Sequence, residues 1–172
     1  MAEIINICKE HMPPVRLIGK RYTDENRQNG GFGHLWGEWF QTGRFDTLEK
    51  LGKVEGIENG CVGFMRCYPD FEYWIGVFLP PGTGVPDGFD YLDLAEGDTA
   101  VAWIKGSDDD GSIYGMHDKC LKAFAENGMT EYRTDGTGRA FFFERYNCPR
   151  FTEKDEQGNV ILDYGIYLWC VR

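Results

Sequence analysis

The sequence predicts an α+β domain: two copies of a β-α-β-β unit sharing one antiparallel sheet, with both helices on one face. Three observations carry this reading. The chain has 172 residues, enough for one well-buried core and marginal for two. Strand-like and helix-like segments follow the same order in both halves. Short motifs recur in that order at matching places.

The first unit spans about residues 15–80. Residues 15–22 are β-rich and follow Pro13-Pro14, which favours an extended start. Asn29-Gly30-Gly31 marks a loop. Trp36, Trp39, Phe40, Leu48 and Leu51 recur at near-helical spacing, and Gly43 is placed to stop or bend that helix. Residues 61–68 and 71–79 read as strands around a turn at Pro69-Asp70, and Pro80-Pro81-Gly82 closes the unit.

The second unit spans about residues 99–171. Residues 99–105 read as a strand, and the loop Asp108-Asp109-Asp110-Gly111-Ser112 places Ser112 as a helix cap. A helix is expected over 113–127, stopping at Gly128. Residues 140–146 and 161–171 read as strands. Three motif pairs align: Trp39-Phe40-x-x-Gly43 with Phe124-Ala125-x-x-Gly128, Phe64-x-Arg66-x-Tyr68 with Phe142-x-Glu144-x-Tyr146, and Gly76-Val77-Phe78-Leu79-Pro80 with Gly165-Ile166-Tyr167-Leu168-Trp169.

Composition narrows the function classes. The net charge of −10 repels phosphate backbones, so no direct nucleic-acid partner is expected, while cationic organic molecules are concentrated near any cleft. The six cysteines form no C-x-x-C pair and only three histidines occur, so neither a metal nor a cofactor is expected. MAEIINICKEHMPP has no apolar signal core, and no stretch is long enough to span a membrane. A cytoplasmic protein with reduced thiols and no membrane partner is the expectation.

Strand alternation then suggests a site. Ile75, Val77, Leu79, Ile166 and Leu168 form an aliphatic set suited to packing on helices, joined by Met65 and Phe143. Trp74, Phe78, Tyr167 and Trp169 point the other way, and the motif alignment adds Phe64, Arg66, Tyr68, Phe142, Glu144 and Tyr146. A two-layer domain leaves that face uncovered, so it is expected to bind a ligand or a partner. Glu144 is the carboxylate among these rings, a combination suited to a flat or cationic ligand. Two alternatives stand beside this: Glu144 paired with Arg66 or Arg145, or the aromatics covered by a second copy in a homodimer. Trp36 and Trp39 are expected in the core.

Other motifs carry less. His34 and Glu38 lie four apart without a further metal-ligating His. Gly82-Thr83-Gly84 lacks the third glycine of a dinucleotide fingerprint, and Asp108-Asp109-Asp110 lacks the terminal Glu of a calcium loop. No Ser-His-Asp or Cys-His arrangement stands out.

The segments Phe141-Phe142-Phe143-Glu144-Arg145-Tyr146 and Asp163-Tyr164-Gly165-Ile166-Tyr167-Leu168, with the helix ending Phe124-Ala125-Glu126-Asn127-Gly128, resemble the gyrase-inhibitory-protein-like (GyrI-like) small-molecule-binding domains. These are also the effector-binding domains of AraC-type and MerR-type multidrug regulators. The resemblance runs from about Val15 onward. It implies a tandem β-α-β-β fold with a ligand groove on a pseudo-two-fold axis, and a Glu that reaches the ligand, here Glu144. It implies lipophilic cations or other aromatic drugs as ligands. Some stand-alone members hydrolyse cyclopropane-bearing alkylating natural products. The chain departs from the pattern at Trp169, where Pro is usual, while the matching Pro80 keeps it.

Three functional readings follow. The first is a module that senses or sequesters a small aromatic or cationic molecule, with a separate DNA-binding partner for any transcriptional role. The second is a hydrolase of electrophilic xenobiotics with Glu144 as base, its pKa raised by desolvation. The third is a protein-interaction domain using the aromatic face.

Overall fold

The computed structural model describes residues 1–66, 70–135, 138 and 140–169. It contains strands β1 (Glu3–Met12), β2 (Val15–Thr23), β3 (Cys61–Arg66), β4 (Glu72–Leu79), β5 (Asp90–Leu94), β6 (Gly97–Gly106), β7 (Phe141–Tyr146) and β8 (Val160–Tyr167). The helices are α1 (Gly33–Gln41), α2 (Arg44–Glu49) and α3 (His117–Glu126). All eight strands form one antiparallel sheet in the order β1-β6-β8-β7-β3-β4-β2-β5.

That order contains the expected repeat. β3-β4-β2 and β7-β8-β6 run outward from the central β3–β7 pair, which marks the pseudo-two-fold axis. The edge strands β1 and β5, which the alternation pattern did not suggest, extend the two halves by pairing with β6 and β2. The two helical regions also correspond. Trp39 and Phe124 are both fully buried, and Gly43 and Gly128 both take left-handed backbone (φ 67° and 74°) where the chain leaves a helix. Gly43 divides the first helical region into α1 and α2. Ser112 does not cap α3: it begins a 3₁₀ turn through Gly115, and the helix starts two residues later at His117. The expected Pro69-Asp70 turn lies partly, and the last residues of the second unit wholly, outside the described residues.

Three apolar clusters hold the fold. On one face α1 and α2 press Trp39, Phe45 and Leu48 onto Ile18, Ile75 and Val77. On the same face α3 presses Cys120 and Phe124 onto Ala100, Ala102 and Ile166. The third cluster occupies the helix-free face and joins Phe64, Trp74, Phe78, Phe143 and Tyr167 with Met12 near one sheet edge and Leu94 at the other. The cluster runs across the sheet, and Val54, from the segment between α2 and β3, packs into it with Ile57 against it, so this face is buried without a helix. Gly165 makes the packing possible: a Cβ there would fall 2.2 Å from the Phe143 ring.

Charged groups are buried here too. Asp163 is fully buried and accepts from Arg145 (2.9 Å), Arg150 (2.6 Å) and Asn147 (3.0 Å). Arg145 also donates to Glu10 at 3.0 Å, and Glu58 receives Arg150 and Asn147. This network ties β1, β7 and β8 together.

Candidate functional site

A cavity of about 760 Å³ opens on the helical face over β3 and β7, between the α1 and α3 halves. Its position follows from side-chain size along the central strands. β3 presents only Cys61, Gly63 and Met65 to this face, and the flanking helices pack outward over β2–β4 and β6–β8. Space is left on the pseudo-two-fold axis. Trp36 and Phe40 of α1, Phe32, Phe71, Tyr73, Tyr114, Tyr146 and Phe151 supply aromatic walls.

Among the described residues Glu144 is the sole carboxylate in the lining, and it is 8% exposed. The Tyr146 hydroxyl donates to its Oε2 at 2.7 Å. Gly63, its partner across the β3–β7 pair, leaves the space beside it to the Tyr73 hydroxyl and Glu144 Oε2. Trp36 donates its indole N–H to Tyr73 at 2.9 Å and meets Tyr146 edge-on at 4.7 Å. Tyr73 and Phe32 stack at 4.2 Å. Burial pushes the Glu144 pKa up to about 7, against the opposing hydrogen bond from Tyr146. Burial first and the Glu144 charge second hold the Tyr73 and Tyr146 phenols well above their usual range.

Among the described residues no cation pairs with Glu144. Arg66 binds Glu72 and Asp135, while Arg145 points to the opposite face and binds Asp163 and Glu10. Among the described residues Arg27 is the sole Lys or Arg in the lining; it lies at the rim between Phe32 and Phe71, held by Asp24 at 2.5 Å.

The expected cavity of Phe142, Glu144, Tyr146, Tyr167 and Trp169 with Trp74 and Phe78 does not form. Glu144 and Tyr146 line the observed cavity, and Phe142 lies beneath it against α3. Phe64, Trp74, Phe78 and Tyr167 are buried on the helix-free face, where Arg66 also reaches Glu72 beside Trp74. Trp169 is 51% exposed beyond β8, and Tyr68 lies outside the described residues. The cause is the motif alignment. Matching Val77 to Ile166 makes Cys61 the counterpart of Phe142 and Gly63 that of Glu144, given the observed strand registers. Aligning Phe64 with Phe142 slips the strand by three residues, and an odd slip exchanges the two faces. Phe143 consequently sits with Phe64, across from it, and not with Met65.

Sequence reasoning missed Tyr73, Phe32, Tyr114, His117, Phe151 and Tyr164, and placed Trp36 in the core. Tyr73 and Tyr164 carried a usable signal: both share strand parity with the aliphatic sets, where a hydroxyl needs a polar partner. The others come from helix ends and loops, which alternation does not read.

No protein-family model matches the sequence, and no curated protein matches it. Solved structures do. A candidate bacterial transcription regulation protein from Staphylococcus aureus MU50 is 16% identical, with a TM-score of 0.66, covering 94% of this chain and 97% of that one. SAV2435, in a structure bound to tetraphenylphosphonium, is 15% identical with a TM-score of 0.67, covering 96% and 95%. A hydrolase from Listeria innocua encoded by lin2189 is 9% identical with a TM-score of 0.52, covering 94% and 91%. These likenesses are of fold, and the fold is the one that the resemblance to GyrI-like domains implies. Among the described residues no helix is long and apolar enough to cross a membrane.

Proposed function

We propose that this protein binds a lipophilic aromatic cation in the cavity over β3 and β7, in sensing, sequestration or protection against such compounds. The observation that carries this is Glu144: a carboxylate 8% exposed, facing an aromatic cavity, with no cationic partner among the described residues. A buried charge is ordinarily paired, so the site is one cation short. The surrounding rings offer π faces, and 760 Å³ is within the range of drug-sized pockets. The tetraphenylphosphonium held by SAV2435 belongs to the same ligand class. Calorimetric titration of tetraphenylphosphonium into the wild type and Glu144→Gln tests the reading. Loss of affinity in the variant supports it, and equal affinity contradicts it.

A second reading, hydrolysis of an electrophilic substrate, is favoured by the Glu144 pKa of about 7, which suits a general base. Glu144 would take a proton from water as its oxygen bonds to a strained-ring carbon, the breaking C–C bond leaving its electron pair on the ring's acyl or aryl acceptor. Glu144→Gln would then retain substrate binding while turnover falls by about two to four decades.

A further inference from the structure

The cavity lining also holds a histidine. His117, the first residue of α3, is half-buried in the lining and lies edge-on to Phe142 at 5.1 Å. Its Nδ1 is hydrogen-bonded to the Tyr164 hydroxyl. Tyr164 is the direct partner of Glu144 across the β7–β8 pair. Cross-strand partners stand roughly 5 Å apart, and same-face neighbours along a strand such as Phe142 and Glu144 roughly 7 Å. His117 and Glu144 therefore line the same cavity, His117 from its α3 side.

The hydrogen bond defines what His117 offers. A phenol O–H is a good donor, and a neutral imidazole nitrogen accepts better than a phenol oxygen. The favoured arrangement has Tyr164 donating to Nδ1, which leaves the ring proton on Nε2. Burial lowers the His117 pKa, which keeps the ring neutral at pH 7. Among the described residues nothing hydrogen-bonds Nε2. In the α1 half the Trp36 indole N–H is committed to Tyr73.

We infer that His117 is a specificity-determining residue: its Nε2–H donates to a carbonyl-type acceptor on the bound molecule, so the cavity prefers lipophilic cations that carry one. This rests on the cation-binding reading above and adds its substrate class: a delocalised cation with an acceptor oxygen set several ångströms from the charge.

Two probes separate the claims: tetraphenylphosphonium and (4-acetylphenyl)triphenylphosphonium, which differ by one acceptor. The wild type should prefer the acetyl compound by about three- to tenfold, the usual net worth of a neutral hydrogen bond. His117→Phe should abolish the preference, and His117→Gln, whose amide N–H replaces Nε2–H, should restore part of it. The readout in each variant is the ratio of the two probes' affinities, so an effect of the substitution common to both probes cancels. A preference that survives in His117→Phe, or is absent in the wild type while both probes bind, overturns the inference and leaves the cation reading standing. If neither probe binds the wild type, both fall. A readout independent of any variant is the infrared carbonyl stretch of the bound acetyl probe. A shift to lower wavenumber supports donation from Nε2, and an unshifted band overturns it.

Discussion

Gly63 lies directly across the β3–β7 pair from Glu144, and a methyl group there would stand 2.7 Å from the Tyr73 hydroxyl and 3.3 Å from Glu144 Oε2. The missing side chain lets two groups from neighbouring strands converge at the floor of the cavity. Gly63→Ala must displace Tyr73, whose hydroxyl is held by Trp36. We expect a loss of about 1–3 kcal/mol in stability, typical of overpacking. Tetraphenylphosphonium affinity should also fall. Thermal unfolding and titration of the same variant check both.

The two faces of the sheet make different predictions. Phe78 is packed on the helix-free face and Trp36 on the cavity wall. Phe78→Ala should cost about 3–5 kcal/mol of stability, as large core truncations do, with little change in ligand affinity of the folded protein. Trp36→Ala should weaken binding markedly. An affinity effect confined to Phe78→Ala would return the site to the helix-free face.

The repeat was recoverable because Gly76-Val77-Phe78-Leu79 and Gly165-Ile166-Tyr167-Leu168 occupy equivalent strands in the same phase. Glu144 was recoverable as a carboxylate within an apolar strand. Its neighbours were not, because an odd slip between β3 and β7 leaves local alternation intact while exchanging faces. β1 escaped notice since polar residues and a bulge between Ile4 and Asn6 break its alternation. β5 is five residues long with two aspartates, and its pairing with β2 supplies what its own sequence lacks. The burial of Trp74 and Tyr167 depends on neighbours from several strands and from the segment before β3, which no single strand encodes.

Asp163 provides a test of the helix-free face. It receives two guanidinium groups and is itself fully buried. Asp163→Ala leaves Arg145 with less compensation at 1% exposure. The expected cost is about 3–5 kcal/mol, the value for breaking a buried pair from one side. Chemical denaturation measures it. A change below about 1 kcal/mol would show that the network contributes little.

Glu144 makes the unliganded fold sensitive to pH. Its pKa is about 7 in the folded chain against an ordinary 4.5. Below pH 4.5 both states are protonated and no penalty exists. As pH rises to about 7 the unfolded chain ionises first, and the folded state loses stability relative to it. The shift corresponds to roughly 3 kcal/mol at full development. Glu144→Gln lacks this term, so it should gain on the wild type as pH rises from 4.5 to 8. Paired denaturation curves across that interval check the sign, and a constant difference would contradict it.

The cation-binding claim is tested most directly by two nearly isosteric ions of opposite charge, tetraphenylphosphonium and tetraphenylborate, titrated into wild type and Glu144→Gln at pH 8. The wild type should prefer the phosphonium. Glu144→Gln should lower phosphonium affinity by about ten- to a hundredfold, the worth of roughly 1.5–3 kcal/mol for a charged contact, and narrow the gap between the ions. On lowering the pH through about 7, wild-type phosphonium affinity should decline toward that of the variant as Glu144 protonates. Equal affinity of wild type and variant for the phosphonium at pH 8 would contradict the account and remove Glu144 from the binding site.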